Sequence, residues 1–213
     1  MRQKSNSNIL GLLASLLLSF ALAPGAFALA GQKVPAAPQE NNSSEIDKQL
    51  HAAQDALDRK DFGAAAKLLE AVVKVQPEFG AAWFNLAYAY TALGRKDDAI
   101  AAYGKVLKLN PDMAQAHMNL GILLLESKRP SDAADHFAEA VELDATNARN
   151  HLYYARALVQ TGERDEAAKQ FQETLRLDPK SAIAAFDLGQ LYFDEKRFED
   201  AHKFFGAAAE LDP

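Results

Sequence analysis

The sequence predicts an all-α fold of stacked helical hairpins, and three observations carry that prediction. The stretch 82–111, AWFNLAYAYTALGRKDDAIAAYGKVLKLNP, reads as two amphipathic helices joined at Gly94. Trp83, Leu86, Ala87 and Tyr90 recur at helical spacing and form one apolar stripe, and Ala99, Tyr103 and Val106 form the next. Pro111 ends the second helix by forcing the residue before it out of the α region. The whole pattern then recurs every 34 residues without insertion, the closing prolines falling at Pro77, Pro111, Pro179 and Pro213, with Ala145 in the remaining place. Finally, an alanine opens each second helix (Ala65, Ala99, Ala133, Ala167, Ala201), and Leu69, Tyr103, Phe137, Phe171 and Phe205 follow four residues later. Two helices cross closely only where small residues let the backbones approach, and a large side chain fills the space beside them.

The N-terminal element reads as a targeting segment. Arg2 and Lys4 are followed by the uncharged apolar run 9–22, then by Pro24-Gly25 and two small-x-small sites ending at Ala28 and Ala30. A signal peptide over 1–30, cut after Ala28 or Ala30, is the expectation; the alternative is an uncleaved inner-membrane anchor, since 9–30 could nearly span a bilayer. Residues 31–45, GQKVPAAPQENNSSE, lack periodicity and read as a flexible linker. Ser44 with Asp47 three residues on forms an approximate capping box that opens the first repeat helix.

From there the reading is all helix. Gly94 and Gly162 occupy the turn inside two hairpins, where a left-handed conformation is easiest for glycine. Lys60, Lys128 and Lys196 hold the same slot elsewhere, which predicts the same turn at slightly higher cost. In the first helices, the Leu86-Ala87 slots hold Ala52-Ala53, Leu120-Gly121, Tyr154-Ala155 and Leu188-Gly189.

These residues resemble the tetratricopeptide repeat (TPR) signature, W-x2-L-G-x2-Y, then A-x3-F, then P. The resemblance covers 46–213 as five units: 46–79, 80–113, 114–147, 148–181 and 182–213. It implies a right-handed superhelical solenoid of five TPR helical hairpins, stabilised by neighbour contacts alone. The Trp slot departs from the signature, holding Gln49, His117, His151 and Ala185, and the first unit is Ala-rich, as terminal repeats tend to be.

Composition bounds the function. The chain has 213 residues, 49% apolar and 24% charged, with no cysteine, so neither a disulfide nor a lipoprotein attachment site is available. The net charge of −6 becomes −8 once 1–30, with Arg2 and Lys4 and no acid, is removed. That balance argues against nucleic acid and anionic membrane as partners, and fits an exported chain, periplasmic or secreted. His117 and His151 share one slot in successive repeats, too far apart for one zinc ion, and read as packing residues. Asp132, Asp135 and His136 read as a solvated face with no nucleophile beside them, and Ser131-Asp132 as a helix start after Pro130. Phosphate-loop, dinucleotide and nucleophile-elbow motifs are all absent; the expectation is a non-enzyme without cofactor or metal.

What remains is the surface that the resemblance implies is the concave groove. It places Phe84, Leu50, Met118, Leu152 and Phe186 in one register, Tyr88, Ile122, Arg156 and Gln190 in the second, and Thr91, Leu125, Val159 and Phe193 in the third. The lysine–asparagine clamp used by relatives that hold acidic C-terminal tails is absent, since Phe84, Met118 and Leu152 stand in its lysine slots. The expected partner is a protein or peptide, an apolar or amphipathic helix with an acidic group near Arg156, with Tyr88 and Arg156 carrying most of the energy. The expected role is a scaffold or assembly factor in a bacterial envelope; the alternative is the repeat portion of a longer enzyme or secretion component. Phe198, Phe204, Phe205, Ala208 and Ala209 on the last helix predict an edge that self-associates or marks a truncated chain.

Overall fold

The computed structural model describes residues 39–211, with side chains from residue 44 onward. The signal segment, its cleavage sites and the first part of the linker lie outside the described residues. Ile46–Pro213 forms one compact unit, and the core and the cleft both lie within it. The helices are α1 (Gln39–Asp58), α2 (Phe62–Val75), α3 (Gly80–Ala92), α4 (Lys96–Leu109), α5 (Ala114–Glu126), α6 (Pro130–Leu143), α7 (Ala148–Thr161), α8 (Arg164–Leu177), α9 (Ala182–Asp194) and α10 (Phe198–Leu211). No strand occurs among the described residues, and none of their helices is long and apolar enough to cross a membrane. The solenoid of helical hairpins is therefore the fold. One boundary differs from the sequence reading: α1 begins at Gln39, so residues 39–45 of the expected linker are helical and Ser44 lies inside the helix rather than capping it. Gln39 and Glu40 are good helix formers, and nothing between them and Ser44 stops a helix.

The periodic slots explain the packing. Ala65, Ala99, Ala133 and Ala167 have no exposed surface, and Tyr103, Phe137 and Phe171 beside them are fully buried. Opposite Phe137 lies Gly121, where an added Cβ would stand 2.6 Å from the ring. Gly189 faces Phe205 in the same way at 2.8 Å. All five hairpin turns use the left-handed region, with φ of 71° at Gly94 and 91° at Gly162 and 58–62° at Lys60, Lys128 and Lys196. The lysine turns keep the same geometry at a cost of about 1 kcal/mol each. Where Ala145 replaces the closing proline, the buried Asn150 side chain donates to the carbonyls of Ala140 (2.8 Å) and Asp144 (3.1 Å). It thereby adds a second donor to two carbonyls that already accept from Asp144 N–H and Asn147 N–H, and ties α7 to the end of α6.

In three of the five repeats the Trp slot holds a ring nitrogen with one shared polar contact. Trp83 Nε1 donates to the Pro77 carbonyl at 2.8 Å, His117 Nε2 sits 2.8 Å from the Pro111 carbonyl, and His151 Nε2 sits 3.0 Å from the Ala145 carbonyl. A ring N–H reaching six residues back ties α3, α5 and α7 each to the turn before it, a contact worth about 1 kcal/mol. Histidine replaces tryptophan here because both present that donor. Across the hairpin each histidine has its own partner, His136 with His117 and Gln170 with His151.

His136 therefore does not belong to a solvated face, as the sequence reading had it. The Pro111 carbonyl can only accept, so His117 carries its proton on Nε2 and its Nδ1 accepts from His136 Nδ1 at 3.1 Å. Burial, and then the neighbouring His117, lower the His136 pKa from its ordinary 6.5, against the opposite pull of Asp135, Asp132 and Glu139. A depressed histidine takes up its proton more readily unfolded than folded, so its contribution is complete above 6.5 and is lost as pH falls from there toward the lowered value. The melting temperature is expected to drop on acidification through 6.5, and to drop less in His136→Gln, whose neutral amide N–H can donate to His117 Nδ1 without titrating. Circular dichroism melts on both sides of that pH measure it, and identical slopes for the two proteins would remove His136 as the cause.

Candidate partner-binding cleft

Because each hairpin is carried onto the next by the same step, the first helices α3, α5, α7 and α9 run the same way and line one face. Between α5, α7 and α9 that face opens into a cleft of about 470 Å³. Its apolar wall is made by Ile122, Leu125, Val159 and Leu191, with Tyr153 and the inward-pointing Phe171. Glu126, Gln160, Gln190, Asp187 and Asp194 supply the polar part, together with Arg156.

Five of the residues singled out from sequence meet in this cleft: Ile122, Leu125, Arg156, Val159 and Gln190. The others are placed differently. Met118 is not a groove residue, being only 3% exposed inside the main core, where its unbranched side chain fills space between helices. Phe84 is half-buried, edge-on to Tyr103 with ring centres 5.7 Å apart, and Leu152 is half-buried against the C-terminal core. Tyr88 is 41% exposed and meets Phe62 of α2 edge-on at 5.8 Å, on a helix that does not line the cleft. Phe186 and Phe193 are each just over half exposed on α9, stacked on Phe205 and Phe198 rather than on the cleft residues.

Arg156 is already partnered. Its Nε donates to Asp187 Oδ2 at 2.6 Å, bridging α7 to α9, and its guanidinium lies 5.7 Å from the Tyr153 ring centre. An acidic group on a partner would compete with Asp187, so the expected acid-to-Arg156 contact loses its basis. Sequence reasoning missed Asp187, Glu126 and Asp194, although two of them carry a periodic signal. Glu126, Gln160 and Asp194 occupy one slot at the end of successive first helices. Arg156 and Asp187 stand 31 residues apart, one period less one helical turn, which is a diagonal between neighbouring first helices.

The last hairpin also differs from expectation. Phe205 fills the space beside Gly189, Phe204 packs on Tyr192 at 5.7 Å, and Ala208 is buried, so those three are spent inside the hairpin. The exposed apolar stripe comes instead from α9, with Ile183, Phe186 and Phe193, joined by Phe198. Among the described residues no cluster of three histidine or carboxylate side chains could hold a metal ion.

Comparison with known proteins agrees with this architecture. No curated protein matches the chain. Among solved structures, a crystal structure of MamA superposes with a TM-score of 0.76 at 22% identity, covering 80% of this chain and 93% of that one. MamA from Desulfovibrio magneticus RS-1 gives 0.76 at 21% identity, covering 79% of this chain and 95% of that one. YrrB, described as a TPR protein with an unusual peptide-binding site, gives 0.75 at 20% identity, covering 82% and 90%. At these identities the likeness is one of fold. A tetratricopeptide repeat family model matches residues 50–103, 92–148 and 155–213, and a second matches 124–173. The chain belongs to the tetratricopeptide repeat family.

Proposed function

We propose that this chain is an exported protein–protein interaction module, a scaffold or assembly factor in a bacterial envelope, that holds a segment of its partner in the cleft on its first helices. The observation that carries the reading is the open 470 Å³ cleft between α5, α7 and α9, apolar in its wall and polar at its rim. A volume in the range of about 300–1,000 Å³ with a few convergent polar groups suits a bound side chain or short helix better than crevice water. The peptide-binding site named for YrrB, a protein of the same fold, supports the mode of action. Export rests on Arg2 and Lys4, the apolar run after them, and the small-residue sites at Ala28 and Ala30. The α9 stripe of Ile183, Phe186 and Phe193 supports self-association as a second contact.

A photo-cross-linker placed at Val159 tests the reading in the native envelope fraction. It is expected to trap a discrete partner, whereas the same group at Ala101, exposed on a second helix, is not. N-terminal sequencing of the protein recovered in that fraction is expected to begin at Leu29 or Gly31. Equal labelling from both positions would place the binding surface elsewhere, and an intact Met1 on membrane-bound protein would replace export by anchoring.

A further inference from the structure

The rim of the cleft is electronegative for two independent reasons. Glu126 is the last residue of α5 and Asp194 the last of α9, with Gln160 in the last turn of α7 between them. Helix C-termini carry about half a negative charge, so carboxylates there are disfavoured and basic residues are the usual complement. Of the second helices, α2, α4 and α8 follow that rule with Lys74, Lys108 and Arg176 in their last turns, while α6 and α10 do not. The first helices α5, α7 and α9 have no basic residue in theirs. Acidic side chains and helix ends of the same sign are thus stacked along one edge of an apolar cleft.

Lys128 and Lys196 follow these helix ends in the turns and are exposed, but neither is ion-paired with Glu126 or Asp194, and the other cations nearby are engaged. Arg156 is held by Asp187 at 2.6 Å and Lys96 of α4 meets Glu126 at 3.1 Å. Asp194 is contacted by the neutral amide of Gln190 at 2.9 Å. Asp194, at the end of α9, is left with no ion pair among these contacts.

We infer that the occupant of the cleft is a basic amphipathic segment, one that seats an aliphatic or aromatic side chain against Ile122 and Val159 and sets lysine or arginine at the rim of Glu126 and Asp194. This rests on the groove reading above and adds the sign of the partner's charge. A cation at that rim relieves the like-signed stacking, whereas a carboxylate meets it and has Arg156 to reach only by displacing Asp187. The carboxylates are partly exposed, so the preference is screened by salt, while the apolar contact is not.

Two labelled helical peptides with the same leucine stripe, one flanked by lysines and the other by glutamates, test this by fluorescence anisotropy against the full chain. The lysine peptide is expected to bind at least about tenfold more tightly at low ionic strength, the gap closing as salt is raised. Glu126→Gln with Asp194→Asn is expected to narrow the gap, and Ile122→Ala to weaken both peptides, helicity by circular dichroism being unchanged in each. If the glutamate peptide binds as well or better, or the gap survives the loss of both carboxylates, the basic-partner inference is overturned while the groove reading stands. If neither peptide binds, or binding ignores Ile122→Ala, the groove reading falls with it.

Discussion

Gly121→Leu is expected to lower the unfolding free energy by about 3 kcal/mol, the upper end of what an overpacked core costs. The reason is local. A Cβ at Gly121 would lie 2.6–2.9 Å from three atoms of the Phe137 ring, and Phe137 has no exposed surface and no room to retreat. Moving the ring would disturb Ala133, the fully buried small residue that opens the same helix. Gly189→Leu makes nearly the same clash, at 2.8–3.3 Å, but its neighbour Phe205 is only half-buried and can swing toward solvent. It is therefore expected to cost about half as much. Chemical denaturation of the two variants beside wild type gives the comparison. Equal costs would show that accommodation by the opposing ring does not decide the penalty, and no cost at Gly121 would contradict the close helix crossing.

Those glycines mark what was legible in the sequence. The hairpin, its small-residue crossing and its aromatic filler are set by local spacing and repeat with the period, so reading five units at once made the fold plain. The groove was less legible because its exposure depends on how far neighbouring first helices separate, and spacing does not encode that distance. Phe84, Met118, Leu152 and Phe186 share a register yet range from core to largely exposed. Met118 is flexible enough to be drawn into the core, whereas Phe186 is on α9, and no further first helix follows it among the described residues to pack against that register. Arg156 was legible as a groove cation but not as a paired one. Its partner lies in the next repeat, on a diagonal that appears only when two helices are laid side by side. The histidines were legible as buried, while their common hydrogen bond to the preceding turn needed the coordinates.

Phe171→Ala is expected to have the largest effect on both stability and the cleft. Phe171 occupies the aromatic slot of the fourth repeat, is buried, and reaches the cleft from behind. Truncating a buried phenylalanine costs about 3–5 kcal/mol, from lost burial together with the cavity left behind. The loss should not be shared evenly along the array. The buried residues form two clusters, one running from Ile46 to Ala157 and the other built around Phe171, from Ala155 to Ala201, with Tyr154 packed against both. In a solenoid held by neighbour contacts, damage in the second cluster is felt first by the hairpins that share it. Hydrogen exchange is therefore expected to show lost protection in α8, α9 and α10 while α2 to α5 keep theirs, and the melt to broaden or split. Phe171→Leu supplies the control: leucine stands naturally in this slot at Leu69, so the substitution should cost no more than about 1.5 kcal/mol and leave protection in place. Uniform loss of protection across the chain in Phe171→Ala would mean that the two clusters unfold as one. A cost near that of Phe171→Leu would mean that the cleft collapses onto the vacated space.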